Sequence, residues 1–153
     1  MHGLPEPIRE RENTVDYIRI SQAHFHDLRA LQTGYKQEIG EKCPDDGDFH
    51  SLFDAITNGF ILFFGCLDEG RLIGCCSVTP AYSTFDYQTG GVFEDFFILP
   101  EYRHQGIARK LVQYAYRESG VSSLTVGCAD CDLAMYKALG FSIPLGNLLA
   151  FKR

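Results

Sequence analysis

Short apolar runs and alternating apolar and polar positions predict six β-strands along the chain. The clearest run is 60–67, which follows Asn58-Gly59 and ends at the turn-forming Asp68-Glu69-Gly70-Arg71. These turn residues favour a hairpin between this run and the next one. The predicted strands are 14–20, 60–67, 72–80, 92–99, 123–128 and 145–152.

Elsewhere apolar residues recur every three or four positions, which predicts helices that bury one face. The strongest example is 106–118, with Ile107, Leu111, Val112 and Ala115 on one side. Residues 24–37 show the same spacing, with Tyr35 as the last apolar position. The predicted helices are 24–37, 49–57, 106–118 and 132–139.

This order of elements predicts a mixed α/β fold with helices on both faces of one twisted sheet. The hairpins in the first half imply antiparallel pairing, and the strand-helix-strand order in the second half implies parallel pairing. We expect 14–153 to form one domain. The polar, proline-containing segment 1–13 is expected to be loosely ordered.

Composition narrows the possible partners. The 153 residues are 45% hydrophobic, with 14 Lys and Arg against 20 Asp and Glu and a net charge of −6. This acidic balance argues against a broad binding surface for nucleic acid or an anionic membrane. No run is long enough to cross a membrane and no secretory signal is evident, so a cytoplasmic protein is expected.

The segment 38–54 is acidic and has two interpretations. Either it is a solvated loop leading into the first turn of a helix, where carboxylates favour the helix dipole, or it is an acidic rim that attracts a cationic substrate. Its charged residues are Glu38, Glu41, Asp45, Asp46, Asp48 and Asp54 against the single Lys42.

The six cysteines lie mostly in apolar runs, and we expect them to be reduced core residues. Cys128 and Cys131 have the spacing of a zinc or redox site. A structural zinc site would need a second pair, and the adjacent Cys75 and Cys76 would point to opposite faces of a strand. We therefore expect no metal, and a zinc or redox protein is kept as an alternative.

The sequence around 92–109 carries the most specific chemistry. A predicted strand stops at Pro100, and a short turn with Arg103 and Gly106 opens a helix. Free N–H groups at a helix start bind phosphate or pyrophosphate, and glycine allows the anion to approach the backbone. The glycine patterns of a P-loop and of a dinucleotide-binding turn are both absent.

Two motifs resemble the Gcn5-related N-acetyltransferase (GNAT) superfamily. Arg103-His-Gln-Gly106-Ile-Ala108 resembles its acetyl-CoA pyrophosphate loop, and the segment Ala134-Met-Tyr136-Lys-Ala-Leu-Gly-Phe141 resembles its Ala-x-x-Tyr-x-x-x-Gly-Phe ending. The resemblance implies a mixed sheet of about six to seven strands. It also implies acetyl-CoA as co-substrate and, since members often form dimers, a homodimer.

Glu94-Asp-Phe-Phe97 before this loop is similar to the spermidine/spermine and thialysine acetyltransferase branch. The resemblance implies direct acetyl transfer, in a ternary complex, to a small primary amine such as a polyamine or lysine analogue. Alternatives are an acetyltransferase for an amino acid, a peptide N-terminus or an aminoglycoside, and a sensor that binds acetyl-CoA without turnover.

The resemblance also implies site residues. Glu94 would be the base, and Tyr136 would protonate the departing thiolate. A strand bulge would aim a backbone N–H near Phe97 or Ile98 at the thioester oxygen, whereas a regular strand would point Asp95 to the face opposite Glu94. The implied cofactor-binding residues are Phe96, Phe97, Ile98, Arg103, His104, Gln105, Gly106, Ile107, Ala108, Arg109, Ala129, Asp130 and Tyr136.

One position departs from the family pattern. Many members have Asn seven residues before the tyrosine, where this chain has Ala129. The substitution removes an expected side-chain contact to the cofactor and keeps the sensor alternative open.

Overall fold

Five strands form one sheet in the order β1-β2-β3-β4-β5 in the computed structural model, which describes residues 14–151. The first four strands pair antiparallel, and β4 pairs parallel with β5. The predicted mixed sheet is therefore confirmed, while the predicted loose segment 1–13 lies outside the described residues. The strands are β1 Asp16–Arg19, β2 Leu62–Asp68, β3 Arg71–Ser83, β4 Gln88–Ile98 and β5 Leu124–Thr125.

Helices cover both faces of the sheet, as the apolar periodicity predicts. The helices are α1 Phe25–Glu38, α2 Asp46–Thr57, α3 Ile107–Ser119 and α4 Leu133–Ala138. Neighbouring strand residues such as Phe63 and Phe64 point to opposite faces and join separate apolar clusters, one under α1 and α2 and the other under α3. None of the described helices has the length and apolar character needed to span a membrane.

Three of the six cysteines are buried in the core. Cys66, Cys75 and Cys76 are fully buried in β2 and β3, and burial raises the pKa of each thiol. These three act as small apolar residues, as expected. Cys128 and Cys131 are instead exposed, and both are free thiols.

The sheet differs from the prediction at two places. The polar connection predicted between β3 and β4 is part of the hairpin, whose pairing extends to Ser83 and Gln88 because backbone hydrogen bonds tolerate exposed polar side chains. The strand predicted at 123–128 is only the two residues of β5.

The prediction of a strand at 145–152 is wrong for residues 145–151, which the structure describes. Residues 142–151 form no regular element, so the sheet has five strands in the described chain rather than six to seven. Pro144 offers no backbone N–H, and Gly146 has a φ of +94° that a strand does not adopt. Apolar alternation alone does not reveal the effect of a proline just before the predicted strand or of a left-handed glycine inside it.

Gly91 allows β4 to pass close to its neighbours. A Cβ at this position would lie 2.6 Å from Val78 Cγ1 and 3.2 Å from Leu124 Cδ2, whereas at Gly90 the nearest atom would be 3.7 Å away. Val78 is fully buried and cannot move away freely. The close fit sets the position of β5 beside β4.

We expect Gly91→Ala to lower the free energy of unfolding by about 1–3 kcal/mol because the added methyl group overpacks the β3–β5 contact. Urea denaturation measures the loss, and Gly90→Ala is the matched control with ordinary contacts. Equal stability of the two variants would contradict this description of the sheet.

Candidate active site

A β-bulge interrupts β4 at the residues that the motif analysis singles out. Cys75 pairs with Phe97 and Ser77 pairs with Glu94, so a step of two residues on β3 lies opposite a step of three on β4. The bulge contains Asp95, whose φ of +54° is uncommon for any residue other than glycine. The bulge expected from the family resemblance is therefore present.

A buried hydrogen bond holds this bulge. Ser77 is fully buried, and its hydroxyl donates to Asp95 Oδ2 at 2.7 Å. The Cys75 thiol lies 3.6 Å from the Asp95 carbonyl oxygen and donates weakly to it. These contacts offset the cost of the left-handed conformation at Asp95.

The bulge also decides where the two carboxylates point. Glu94 lies opposite Ser77, and Asp95 bonds to the Ser77 side chain, so both carboxylates lie on the same face of the sheet. The strand is not regular here, so the opposite-face placement expected for a regular strand does not apply, because the extra residue shifts the alternation. Glu94 is exposed, and this face is the one that α1 covers.

Two consecutive phenylalanines at the bulge point to opposite faces, and each meets a tyrosine. Phe96 packs on Tyr136 of α4, with ring centroids 6.3 Å apart. Phe97 packs on Tyr35 of α1, with centroids 6.2 Å apart. The two phenols therefore flank β4 at the bulge.

Burial raises the pKa of Tyr136 to about 12, and electrostatic interaction with Tyr35 adds to the shift. The pKa of Tyr35 is also raised, first by burial and then by the negative charge of Asp95. Both phenols are therefore protonated near neutral pH. Each can donate a hydrogen bond there.

A gap opens between β4 and β5 beside the bulge. Their parallel pairing ends at Val92 and Thr125, whereas β4 continues to Ile98. Among the described residues, no strand pairs with β4 beyond Val92 on this edge. Arg103 occupies the Ile98 carbonyl, and the remaining unpaired backbone groups of Phe96 to Ile98 on this edge can bind an extended ligand.

The loop after β4 has the backbone geometry to hold an anion at the start of α3. His104 and Gly106 have φ values of +61° and +81°, and nothing lies within 4 Å of the position that a Gly106 Cβ would take. In the described chain, the N–H groups of 104–109 have no backbone acceptor. Together with the helix dipole they suit a pyrophosphate.

The two arginines of this loop are already engaged in the protein. Arg103 forms a two-pronged ion pair with Glu38 at 2.8 and 2.6 Å, and its Nε donates to the Ile98 carbonyl at 2.8 Å. Arg109 donates to the Ala138 carbonyl at 2.8 Å. Arg103 thus joins the end of α1 to the end of β4, and Arg109 joins α3 to α4.

The remaining residues of the implied cofactor set have varied environments. Ile107 is buried in the core and Ala108 is half-buried, whereas His104 is exposed. Ala129 and Asp130 are exposed at the turn that leads into α4. The structure brings the loop, the bulge and Tyr136 to one end of β4.

Most of the acidic residues of 38–54 have partners, which favours the structural interpretation of this segment. Asp45 and Asp48 cap α2 reciprocally, with each side chain accepting from the other residue's N–H. Three other carboxylates form ion pairs, which are Glu38 with Arg103, Glu41 with Lys36 and Asp46 with Arg29, and Asp54 Oδ2 lies 3.4 Å from His50 Nε2.

Sequence reasoning missed three residues that build the site. Ser77 lies in an apolar run, and Tyr35 fits an ordinary helix face. Glu38 is 65 residues from its partner Arg103, so no spacing rule connects them. The polar Ser77 inside the run Cys75-Cys76-Ser77-Val78 is the one signal that could have been noticed.

The family model described as Acetyltransferase (GNAT) domain matches residues 60–143, which include the bulge, the loop and Tyr136. The chain belongs to the GNAT acetyltransferase family. This membership makes it an N-acetyltransferase, and the enzymes of this family use acetyl-CoA. No curated protein matches the chain.

Solved structures share the fold at low sequence identity. A probable acetyltransferase is 20% identical with a TM-score of 0.78, covering 90% of this chain and 99% of that one. AAC(6')-Iy in complex with the bisubstrate analogue CoA-S-monomethyl-acetylneamine is 19% identical with a TM-score of 0.75, covering 91% and 98%. Glucosamine-6-phosphate N-acetyltransferase from Arabidopsis thaliana is 15% identical with a TM-score of 0.69, covering 90% and 98%.

Across residues 14–151, no group of three or more His, Cys, Asp or Glu side chains is arranged to hold a metal ion.

The Arg103 ion pair makes stability depend on pH. Its hydrogen bonds lower the pKa of Glu38, so the stabilisation is present above the unfolded-state pKa of about 4.3 and is lost as pH falls through the lower folded value. We expect Glu38→Gln to cost roughly 0.5–1 kcal/mol near pH 7 and almost nothing near pH 3.

Urea denaturation of both proteins at these two pH values measures the effect. Glu69→Gln, at an exposed position of the β2–β3 turn, is the control. A Glu38→Gln penalty that stays the same at both pH values would contradict the ion-pair account.

Proposed function

We propose that the protein is a cytoplasmic enzyme that transfers the acetyl group of acetyl-CoA to a small primary amine, with polyamine-like or lysine-analogue acceptors favoured. The observation that carries this proposal is the exposed Glu94 carboxylate on the α1 face of the bulge, beside Asp95. The amine attacks directly in a ternary complex. None of the cysteines is required to carry the acetyl group.

Glu94 acts as the base. An alkyl amine has a pKa of about 10.4, so it is mostly charged near neutral pH and must lose a proton before it can attack. Glu94 accepts that proton directly or through water. Glu94 and Asp95 together favour a cationic acceptor, and this preference comes from the bulge because the acidic segment 38–54 is largely paired.

The chain has groups that fit acetyl-CoA, which supplies the acetyl group as an activated thioester. The N–H groups of 104–109 would bind the pyrophosphate, and the free β4 edge at Phe96 to Ile98 would bind the pantetheine arm. A backbone N–H near Phe97 or Ile98 would stabilise the oxyanion that forms at the carbonyl. Arg103 and Arg109 would position the loop from within the protein.

Tyr136 assists departure of the thiolate. With its pKa near 12, the Tyr136 phenol is a weaker acid than a thiol of about 8.5 by roughly three units. Complete proton transfer to the sulfur is therefore uphill, and the favoured role of Tyr136 is to donate a hydrogen bond to it. Solvent can supply the proton once the product separates.

Substituting the two catalytic side chains should separate catalysis from cofactor binding. Glu94→Gln should lower kcat/KM for the amine at least about 100-fold near neutral pH, with partial recovery at higher pH where more amine is uncharged. Tyr136→Phe should lower kcat about tenfold or more. Thiol-release kinetics measure both, and calorimetry should show that Glu94→Gln binds CoA within about twofold of the wild-type affinity.

The acceptor class is tested by thiol release from acetyl-CoA with spermidine, putrescine, lysine analogues, amino acids, aminoglycosides and short peptides. Turnover confined to polyamines or lysine analogues supports the proposal. Turnover of aminoglycosides favours the alternative of an aminoglycoside acetyltransferase. The structural neighbour AAC(6')-Iy, in complex with the bisubstrate analogue CoA-S-monomethyl-acetylneamine, is a precedent for it. CoA binding without turnover of any acceptor would contradict the enzymatic proposal and favour a sensor.

We also propose that the protein is a homodimer whose interface includes the C-terminal segment 142–151. Five large apolar side chains there are exposed, which is unusual for a surface in water. They are Ile143, Leu145, Leu148, Leu149 and Phe151, with exposures from 75 to 98%.

We expect sedimentation equilibrium to give the mass of a dimer for the wild-type chain. Leu148→Asp with Leu149→Asp should shift the equilibrium towards monomer by placing charges in the interface. The same double change at exposed Phe85 and Tyr87, on the β3–β4 turn, is the control. A wild-type monomer at all concentrations would contradict the dimer.

A further inference from the structure

The C-terminal half of α1 lies directly over the bulge. A Cβ at Gly34 would be 3.5 Å from the Phe97 ring, which is ordinary contact distance. The next residue, Tyr35, packs its ring on the same phenylalanine. Because Glu94 and Asp95 also point to this face, α1 forms one wall of the space in front of the proposed base.

The Tyr35 side chain is fixed by packing while its hydroxyl has no partner. The ring belongs to the apolar cluster under α1 and lies 5.6 Å from Lys36 Nζ. Lys36 is itself bound to Glu41 at 2.6 Å. Within residues 14–151 the Tyr35 hydroxyl makes no hydrogen bond to another protein group.

The charges around Tyr35 favour an amine rather than an anion. Asp95 and Glu94 both act to raise the pKa of the Tyr35 phenol, which places negative charge near its oxygen. The only cation among the causes of that shift is Lys36, and Glu41 neutralises it. A donor of N–H groups therefore suits this space.

We propose that Tyr35 binds the acceptor, with its phenolic oxygen accepting a hydrogen bond from the acceptor nitrogen on the face that carries Glu94 and Asp95. An ammonium group that loses one proton to Glu94 retains two N–H bonds. One of them can point to Tyr35 while the lone pair points to the thioester carbon. This inference rests on the proposed function.

The test compares Tyr35→Phe with wild type. The substitution keeps the ring on Phe97 and removes only the hydroxyl. Loss of one hydrogen bond to the amine should raise the amine KM about tenfold, and the amine Kd measured by calorimetry in the presence of CoA by a similar factor. The KM for acetyl-CoA should not change.

The control is Tyr114→Phe, since Tyr114 is a half-buried tyrosine of α3 that packs on Tyr17 and Phe64 in the opposite cluster. It should leave every constant unchanged. If Tyr35→Phe has the wild-type amine KM and Kd, this inference is overturned. The proposed function still stands in that case, provided that the wild-type protein turns over the amine. An equal rise in the acetyl-CoA KM would also overturn it, because the bulge itself would then be disturbed. Wild-type protein that turns over no amine would overturn both.

Discussion

The hydrogen bond from Ser77 to Asp95 is the contact on which the geometry of the site depends. It stabilises a left-handed residue inside a strand, and the extra residue of the bulge then shifts every later side chain of β4 by one position. As a result Glu94 and Asp95 share one face, and the usual alternation resumes after them, with Phe96 and Phe97 on opposite faces. A regular strand would separate the two carboxylates, so a single buried hydroxyl determines which groups can meet an acceptor.

Contacts from the surrounding structure hold the bulge and the loop after β4 in place, and most of the backbone groups that could bind a ligand there remain open. The ion pair between Arg103 and Glu38 ties α1 to the end of β4, and Arg109 ties α3 to α4. Within residues 14–151 the backbone N–H groups at the start of α3 have no backbone acceptor, and the β4 edge beyond Val92 pairs with no strand, although Arg103 occupies its Ile98 carbonyl. Arg103 and Arg109 both have protein partners, so the backbone N–H groups are the part of this loop that remains open to an anion.

Much of the architecture follows from the sequence because helices and strands bury periodic faces. The pattern of Ile107, Leu111, Val112 and Ala115 predicts α3 to within a residue or so, and the loop motif predicts the anion site. The side chain of Asp95 could not be placed, since a bulge depends on a contact between two strands. Tyr35 fits the apolar face of α1, and its position over the bulge depends on how the helix packs on the sheet, which the local sequence does not show. The apolar pattern at 145–152 likewise does not show whether a partner strand exists.

The most direct test of this account is a crystal structure of the protein with CoA and a bound amine. The account predicts the pantetheine arm along Phe96 to Ile98 in the gap between β4 and β5. It also predicts the amine nitrogen on the α1 face, linked to Glu94 directly or through one water. An amine bound on the α3 face, or CoA bound outside the gap, would contradict the central role assigned to the bulge.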